Sequence, residues 1–269
     1  VRVLDGMSPL EPVCSALGLN PLPQMTLTDA LELAGLHTPL FPPSAPALLL
    51  NLISPALARS VKRVLLTVYP ADFSVRLVKL QTSETVVEEI RLDELDASNN
   101  LGPLTALYMP ALGEGTSLEA FQEIVAHLRA DDGCPWDKEQ THHTLRTHLL
   151  GETYETLQAM DDEDTDGMAE EFGDLLLQIV LNAQIGVEQS EFNMADVLNG
   201  IYRKIVHRHP HVFGDVQVEG VSGVLQNWEK IKAAERAARG EGETKGLLDG
   251  VPKIFPSLAQ AQEIQDRAA

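Results

Sequence analysis

The amino-acid sequence predicts a multidomain chain, a mixed α/β region followed by an all-α region, and three observations carry that prediction. The spacing of apolar residues changes near residue 112 from short, turn-bounded β-rich runs to the i, i+3, i+4 spacing of helices. Proline and glycine cluster at the same place, in Gly102-Pro103 and again from Pro110 to Gly115. Charge divides there too: residues 1–112 hold 7 basic and 11 acidic residues, a net of −4, and the remainder hold 13 and 29, a net of −16. The boundaries predicted on these grounds are 1–112, 116–240 and a C-terminal linker or helix at 241–269.

Taken in order, helical spacing in the first region falls at Pro9–Leu17, Leu27–Leu36 and Ala47–Leu57. β-rich runs fall at Val64–Tyr69, Ser74–Leu80, Thr85–Ile90 and Thr105–Tyr108, separated by turn-formers such as Pro70-Ala71-Asp72 and Ser98-Asn99-Asn100. The second region opens with Leu118, Phe121, Ile124, Val125 and Leu128 on one helical stripe, with Thr116 or Ser117 placed to cap it. A loop, Asp131–Asp137, contains Gly133 and Pro135. Helices are then predicted near Leu145–Met160, Gly167–Gln189, Met194–Arg208 and Gly223–Arg239, the first two joined by an acidic loop. Four or five amphipathic helices with short connections describe a bundle.

Composition narrows the function classes. With 269 residues, 44% of them hydrophobic, the chain can bury a sizeable core. No run approaches the roughly 18 apolar residues that cross a bilayer, and the N-terminus lacks the basic leader and apolar core of a signal peptide. It also lacks an initiator Met, and both ends read as cut. Two distant cysteines, Cys14 and Cys134, are too few for a disulfide framework and point to a reduced cytoplasmic compartment. A net charge of −20 repels a phosphate backbone, so a nucleic-acid polymer is a poor partner, as is a membrane. Small anionic substrates stay open if a cation bridges them, as Mg²⁺ does between carboxylates and phosphates.

The chemistry-bearing pattern is a set of carboxylates. Glu152 and Glu155 lie three residues apart on one predicted helix, and Glu171 and Asp174 repeat that spacing on the next. Residues at i and i+3 share a helix face, and a short connection makes the two helices neighbours. Clustered like charges are costly unless neutralised, and a hard divalent cation with oxygen ligands is the usual remedy. The apolar run Leu175–Leu181 predicts that the second helix is deeply packed. Two acid pairs alone also suit an ordinary solvated surface.

The surrounding residues decide the matter. Cys134-Pro135-Trp136-Asp137-Lys138-Glu139-Gln140-Thr141, Glu152-Thr153-Tyr154-Glu155 and Glu171-Phe172-Gly173-Asp174-Leu175-Leu176 resemble the MazG pyrophosphohydrolase family. So do Arg208-His209-Pro210-His211-Val212-Phe213 and Asn227-Trp228-Glu229-Lys230-Ile231-Lys232, in family order from about Leu118 onward. The resemblance implies an all-α domain that uses Mg²⁺, with Mn²⁺ as an alternative, to cleave a nucleoside triphosphate into the monophosphate and pyrophosphate. Carried over residue by residue, it makes Glu152, Glu155, Glu171 and Asp174 metal ligands, with Glu152 or Glu155 as the catalytic base. It places Lys204, Arg208 and Lys232 on the phosphates and Trp136 and Lys138 in the nucleotide pocket. It also implies a homodimer or higher homo-oligomer. Two positions depart from the family: Gly151 stands where the signature has a first glutamate, and His207 interrupts an arginine pair. Those departures motivate the alternative of a catalytically silent nucleotide-binding or assembly module.

Other local patterns carry less. Asp162-Glu163-Asp164-Thr165-Asp166-Gly167 opens like a calcium loop, but Gly173 stands where that loop needs a bidentate glutamate. His207, His209 and His211 alternate without any cysteine or carboxylate at zinc spacing, and read as helix-end histidines. His142 and His143 read the same way, and no base accompanies Cys134. Val3–Ser8, the helix through Ala16-Leu17-Gly18 and the later strands resemble the C-terminal half of a tetrapyrrole (corrin/porphyrin) methylase domain, over about Val1 to Pro110. That resemblance implies the remnant of a methyltransferase fusion without methyl transfer, since the family's first S-adenosylmethionine loop would precede Val1.

Overall fold

A computed structural model describes residues 9–81, 84–238, 251 and 257–268. The motif Val3–Ser8 and the segment 239–250, including Leu248-Asp249-Gly250, lie outside the described residues. The chain divides into two compact units, residues 1–185 and 186–269.

The first unit starts with α1 (Leu10–Leu17), which ends at Gly18 with φ 64°, a left-handed conformation that glycine adopts without strain. β1 (Thr26–Asp29) runs straight into α2 (Ala30–Ala34), and Asp29 makes the switch because its side chain accepts the Leu31 N–H at 2.8 Å. β2 (Ala47–Leu50) precedes α3 (Pro55–Leu65), started by Ser54, whose hydroxyl accepts the Leu57 N–H, and by Pro55 in the first turn. β3 (Ser74–Lys79), β4 (Val86–Arg91), a 3₁₀ turn (Leu92–Ala97) and β5 (Thr105–Met109) follow. The five strands form one mixed sheet of order β1-β2-β5-β3-β4. β1 pairs parallel with β2, and the other three pairings are antiparallel.

The sheet is buried on both faces. Along central β5, Leu107 and Met109 face a core shared with Leu49, Leu77 and the α3 stripe Ala58, Val61, Val64 and Leu65. Ala106 and Tyr108 face the other core, with Leu48, Val78 and Val13 of α1. The register lines Leu49, Leu107 and Leu77 across three strands, so one cross-strand ladder holds the middle of the sheet.

This two-faced burial explains where the sequence expectations fail. Ala47–Leu50 is a strand rather than the start of a helix, because a central strand is apolar on both faces and loses its alternation. Val64–Tyr69 is the end of α3 and the turn after it, not a strand; Val64 and Leu65 are buried at helical spacing with Ala58 and Val61. The expected helix at Leu27–Leu36 is instead β1 joined to α2. Strands at 74–79, 86–91 and 105–109 fall on the expected β-rich runs.

Beyond the sheet come α4 (Leu118–Arg129), α5 (Pro135–Glu139), α6 (Arg146–Asp161) and α7 (Thr165–Glu188). Ser117 caps α4 by accepting the Ala120 N–H at 3.2 Å, and its hydroxyl meets that of Ser44 at 2.7 Å. The turn after α4 requires Gly133, because a Cβ there would lie 2.3 Å from the carbonyl oxygens of His127 and Leu128. α7 runs past the division between the units. The second unit holds α8 (Met194–Arg208), started by a capping box between Asn193 and Asp196, then α9 (Pro210–Phe213), α10 (Gly220–Ala238) and α11 (Ser257–Ala268). Among the described residues no helix is long and apolar enough to cross a membrane.

Depth of packing on α7 differs from expectation. Gln178, Val180, Leu181, Ala183 and Ile185 are buried, whereas Phe172, Leu176 and Ile179 form an exposed stripe, Phe172 at 48%. An α-helix packed along one stripe leaves the opposite one open, and a continuous apolar run does not reveal which.

One ion-pair network ties α3 to the 3₁₀ turn. Asp96 meets Lys62 and also Arg59, the latter at 3.0 Å, and Lys62 donates to the Asp93 carbonyl at 2.8 Å. These hydrogen bonds, Lys62 first and Arg59 second, hold the Asp96 carboxyl below its ordinary value of 3.8. A depressed carboxyl stabilises the fold above its unfolded value and ceases to do so as pH falls through its folded value. Asp96→Asn is therefore expected to cost about 1 kcal/mol near neutral pH. Urea titrations of both proteins should show that gap closing below about pH 4, and a gap unchanged in acid would refute the assignment.

Candidate metal and nucleotide site

α6 places Glu152 and Glu155 on one face, and a three-residue connection, Asp162-Glu163-Asp164, turns the chain back into α7. That connection is built from its own acids. Asp164 accepts the Gly167 N–H at 3.1 Å, Asp162 accepts the Gln158 side chain at 2.8 Å, and Glu163 takes a positive φ of 54°. The calcium-loop pattern is thus a helix–helix turn whose acids act in capping.

The turn brings Glu171 to the first pair. One carboxylate oxygen each from Glu152, Glu155 and Glu171 lies within 4.8 Å of the others. Glu152 and Glu171 are half-buried and Glu155 is exposed. No lysine or arginine among the described residues pairs with any of the three, and Oε2 of Glu171 is buried without a hydrogen-bond partner. Burial raises the Glu152 carboxyl above its ordinary value, and the charges of Asp174 and Glu155 push the same way. Glu171 is raised likewise, by burial first and then by Glu155 and Asp174. Three acceptors converging without a donor, one of them orphaned, fit a hard cation such as Mg²⁺.

Asp174 stands slightly apart. It lies close enough to repel both raised carboxyls, but its oxygens are outside the 4.8 Å group. It instead lines a cleft of 540 Å³ with Ser117, Leu118, Phe121 and Leu177.

Trp136 sits on α5, 53% exposed, with its ring edge-on to His148 at 5.7 Å and 82°. Lys138 is engaged by its own loop, donating to the Asp131 carbonyl at 2.7 Å. Gly151 has no atom within 4 Å of where a Cβ would be, so α6 has room for a side chain there.

The remaining predicted residues belong to the second unit. Arg208 forms a two-pronged pair with Glu235, at 2.7 and 3.4 Å, which raises its pKa further. The Lys232 ammonium lies 4.1 Å from the Trp228 ring centre, with Arg208 at 5.7 Å from the same ring. Lys204 lines a cleft of 420 Å³ with Arg203, His207 and Glu235. The histidines are taken up locally: His209 bonds the Ile205 carbonyl at 2.7 Å and stacks obliquely on His211. The sequence reading did not single out His148, nor the Trp228 ring as the shared contact of Arg208 and Lys232. The available signal for the first was its position four residues before Glu152, one turn along the same helix face.

Comparison with known proteins bears on the same region. The sequence profile of the "MazG nucleotide pyrophosphohydrolase domain" matches residues 140–213, which include all four carboxylates. "Uncharacterized protein YabN" of Bacillus subtilis is 40% identical over 272 residues, covering 98% of this chain and 54% of that protein. "Nucleoside triphosphate pyrophosphohydrolase" of Escherichia coli K12 is 45% identical over 147 residues, 54% of this chain and 55% of that one. "Nucleoside triphosphate pyrophosphohydrolase/pyrophosphatase MazG" of Thermotoga maritima is 40% identical over 156 residues, 58% of each. The chain spans about half the length of the curated relatives it matches. The carboxylate site therefore lies within the segment, residues 140–213, that matches the MazG domain.

Proposed function

We propose that the chain hydrolyses nucleoside triphosphates to the monophosphate and pyrophosphate, with Mg²⁺ held by Glu152, Glu155, Glu171 and Asp174. The observation that carries this reading is the donor-free convergence of three carboxylates, with an orphaned Glu171 oxygen, inside the MazG-matching segment. When bound, the ion would offset charge on the phosphates and acidify water. The rest falls to the protein. Half-buried Glu152 and Glu171 would hold the ion, and exposed Glu155 is the member that solvent reaches. A water oxygen attacks the α-phosphorus, its proton passes to Glu155, and the bond to the β-phosphate breaks to release pyrophosphate. Trp136 offers an exposed face on which a base can stack, and Lys204, Arg208 and Lys232 are assigned to the phosphates.

The same reading extends to assembly and setting. Exposed apolar stripes, Phe172, Leu176 and Ile179 on α7 and Leu198, Ile201, Tyr202 and Ile205 on α8, support a homodimer. Two free cysteines suit a reducing cytoplasm, and the sheet of residues 26–109 is assigned to a methylase-type remnant on its sequence resemblance. A second reading, a nucleotide-binding module without turnover, is favoured by the departures at Gly151 and His207.

The deciding assay measures pyrophosphate released from a panel of nucleoside triphosphates with Mg²⁺ or with EDTA. Release with Mg²⁺ that stops in EDTA, and is lost by at least about 10²-fold in Glu155→Ala and Asp174→Ala, is expected. Full activity in both variants would remove the ligand assignment. Glu171→Gln should raise the melting temperature of the metal-free protein while abolishing stabilisation by Mg²⁺. The sign follows from the raised carboxyl: it destabilises the fold above its ordinary range, and wild-type protein in EDTA should gain stability as pH falls from neutral toward about 5. A melting temperature lowered by Glu171→Gln in EDTA would show that the carboxylate is structurally paired. Finally, Gly151→Glu should fold normally, given the open space around it, and raise turnover if the missing acid limits the rate. A folded variant with unchanged silence would support the binding module.

A further inference from the structure

The acidic cluster poses a problem for any anionic substrate. Three carboxylates repel phosphate, no lysine or arginine among the described residues pairs with them, and nearby Lys138 is tied to the Asp131 carbonyl. The nitrogen donor that the fold does bring to this place is His148. It lies on α6 four residues before Glu152, so both side chains occupy one face of the helix. Its ring is braced edge-on by Trp136, at 5.7 Å and 82°, and remains exposed. The Glu152 carboxyl feels it: His148 opposes the rise that burial, Asp174 and Glu155 impose there. An indole, an imidazole and a carboxylate trio therefore succeed one another. That order matches a nucleotide's aromatic base, its inner phosphate and the outer phosphates that a cation holds.

We propose that His148 is a substrate-contacting residue, donating an imidazole N–H to the phosphate next to the sugar of a nucleotide whose base lies on Trp136. The inference rests on the pyrophosphohydrolase reading given above. The bracing by Trp136 fixes the imidazole before substrate arrives, so little side-chain freedom is lost on binding.

The test is calorimetric titration of the full chain with Mg²⁺ and an α,β-methylene nucleoside triphosphate, which cannot be cleaved at the scissile position. His148→Ala should weaken binding by about tenfold, and His148→Gln, which keeps an N–H donor, should recover most of it. Mn²⁺ affinity, read by electron paramagnetic resonance, should be unchanged in both variants. In turnover the loss should appear as a raised KM with kcat within about threefold of wild type. Unchanged analogue affinity in His148→Ala would overturn the proposal, as would a loss confined to kcat or one that glutamine does not restore. Wild-type protein that fails to bind the analogue would instead overturn the nucleotide reading itself.

Discussion

Mutual repulsion among Glu152, Glu155 and Glu171 is the constraint around which the helical part of this protein is arranged. Carboxylates within 4.8 Å of one another, two of them half-buried, are tolerated only because the surrounding backbone is anchored by other means. Ser117 starts α4 and Asp164 starts α7, and Gly133 permits the tight turn between α4 and α5. These local devices fix where the helices begin and turn, independently of the acids themselves. The contrast with Asp96 is instructive. There a carboxylate meets two cations and its pKa falls, whereas Glu152 and Glu171 rise, through burial first and neighbouring carboxylates second. The first is an interaction that supports the fold, and the second stores repulsion for a ligand to relieve.

The two units show different solutions to placing charge. In the second, cations are held ready by partners: Arg208 by Glu235 and by the Trp228 face, Lys232 by the same ring and by Glu229. Such pairing restricts rotamers and would lower the entropy lost on binding the phosphates proposed for them, at the expense of exchanging one anion for another. At Glu152, Glu155 and Glu171 in the first unit, by contrast, no lysine or arginine among the described residues forms an ion pair, and the three present bare acceptors.

Much of this was legible in the sequence, and where it was not the reasons are physical. The i, i+3 spacing of Glu152–Glu155 and Glu171–Asp174, with a short connection, foretold the meeting of two helices. It did not foretell that Asp174 would stand outside the closest trio, because a difference of that size depends on crossing angle. One helix with a polar face, Met194–Arg208, was bounded to the residue, and its neighbours to within about three. The N-terminal sheet was harder: Ala47–Leu50 has both faces buried and so carries no alternation, and the valines at 61 and 64 have strand propensity but lie on α3. Lys138 shows the same limit at the site. Its place in the motif suggested a nucleotide contact, while its ammonium bonds the backbone of its own loop.

The three-residue connection between α6 and α7 has a consequence for how the site comes into being. All four carboxylates fall between positions 152 and 174 on a single helical hairpin. Closing so short a loop costs little chain entropy, and contacts this local form early when a protein folds. The five-stranded sheet, by contrast, must join β2 to β5 across more than half of the N-terminal region. The acidic hairpin is thus topologically self-contained. Sequence can be inserted, lost or exchanged on either side of it without separating one acid from another, so the carboxylate set travels as one short block.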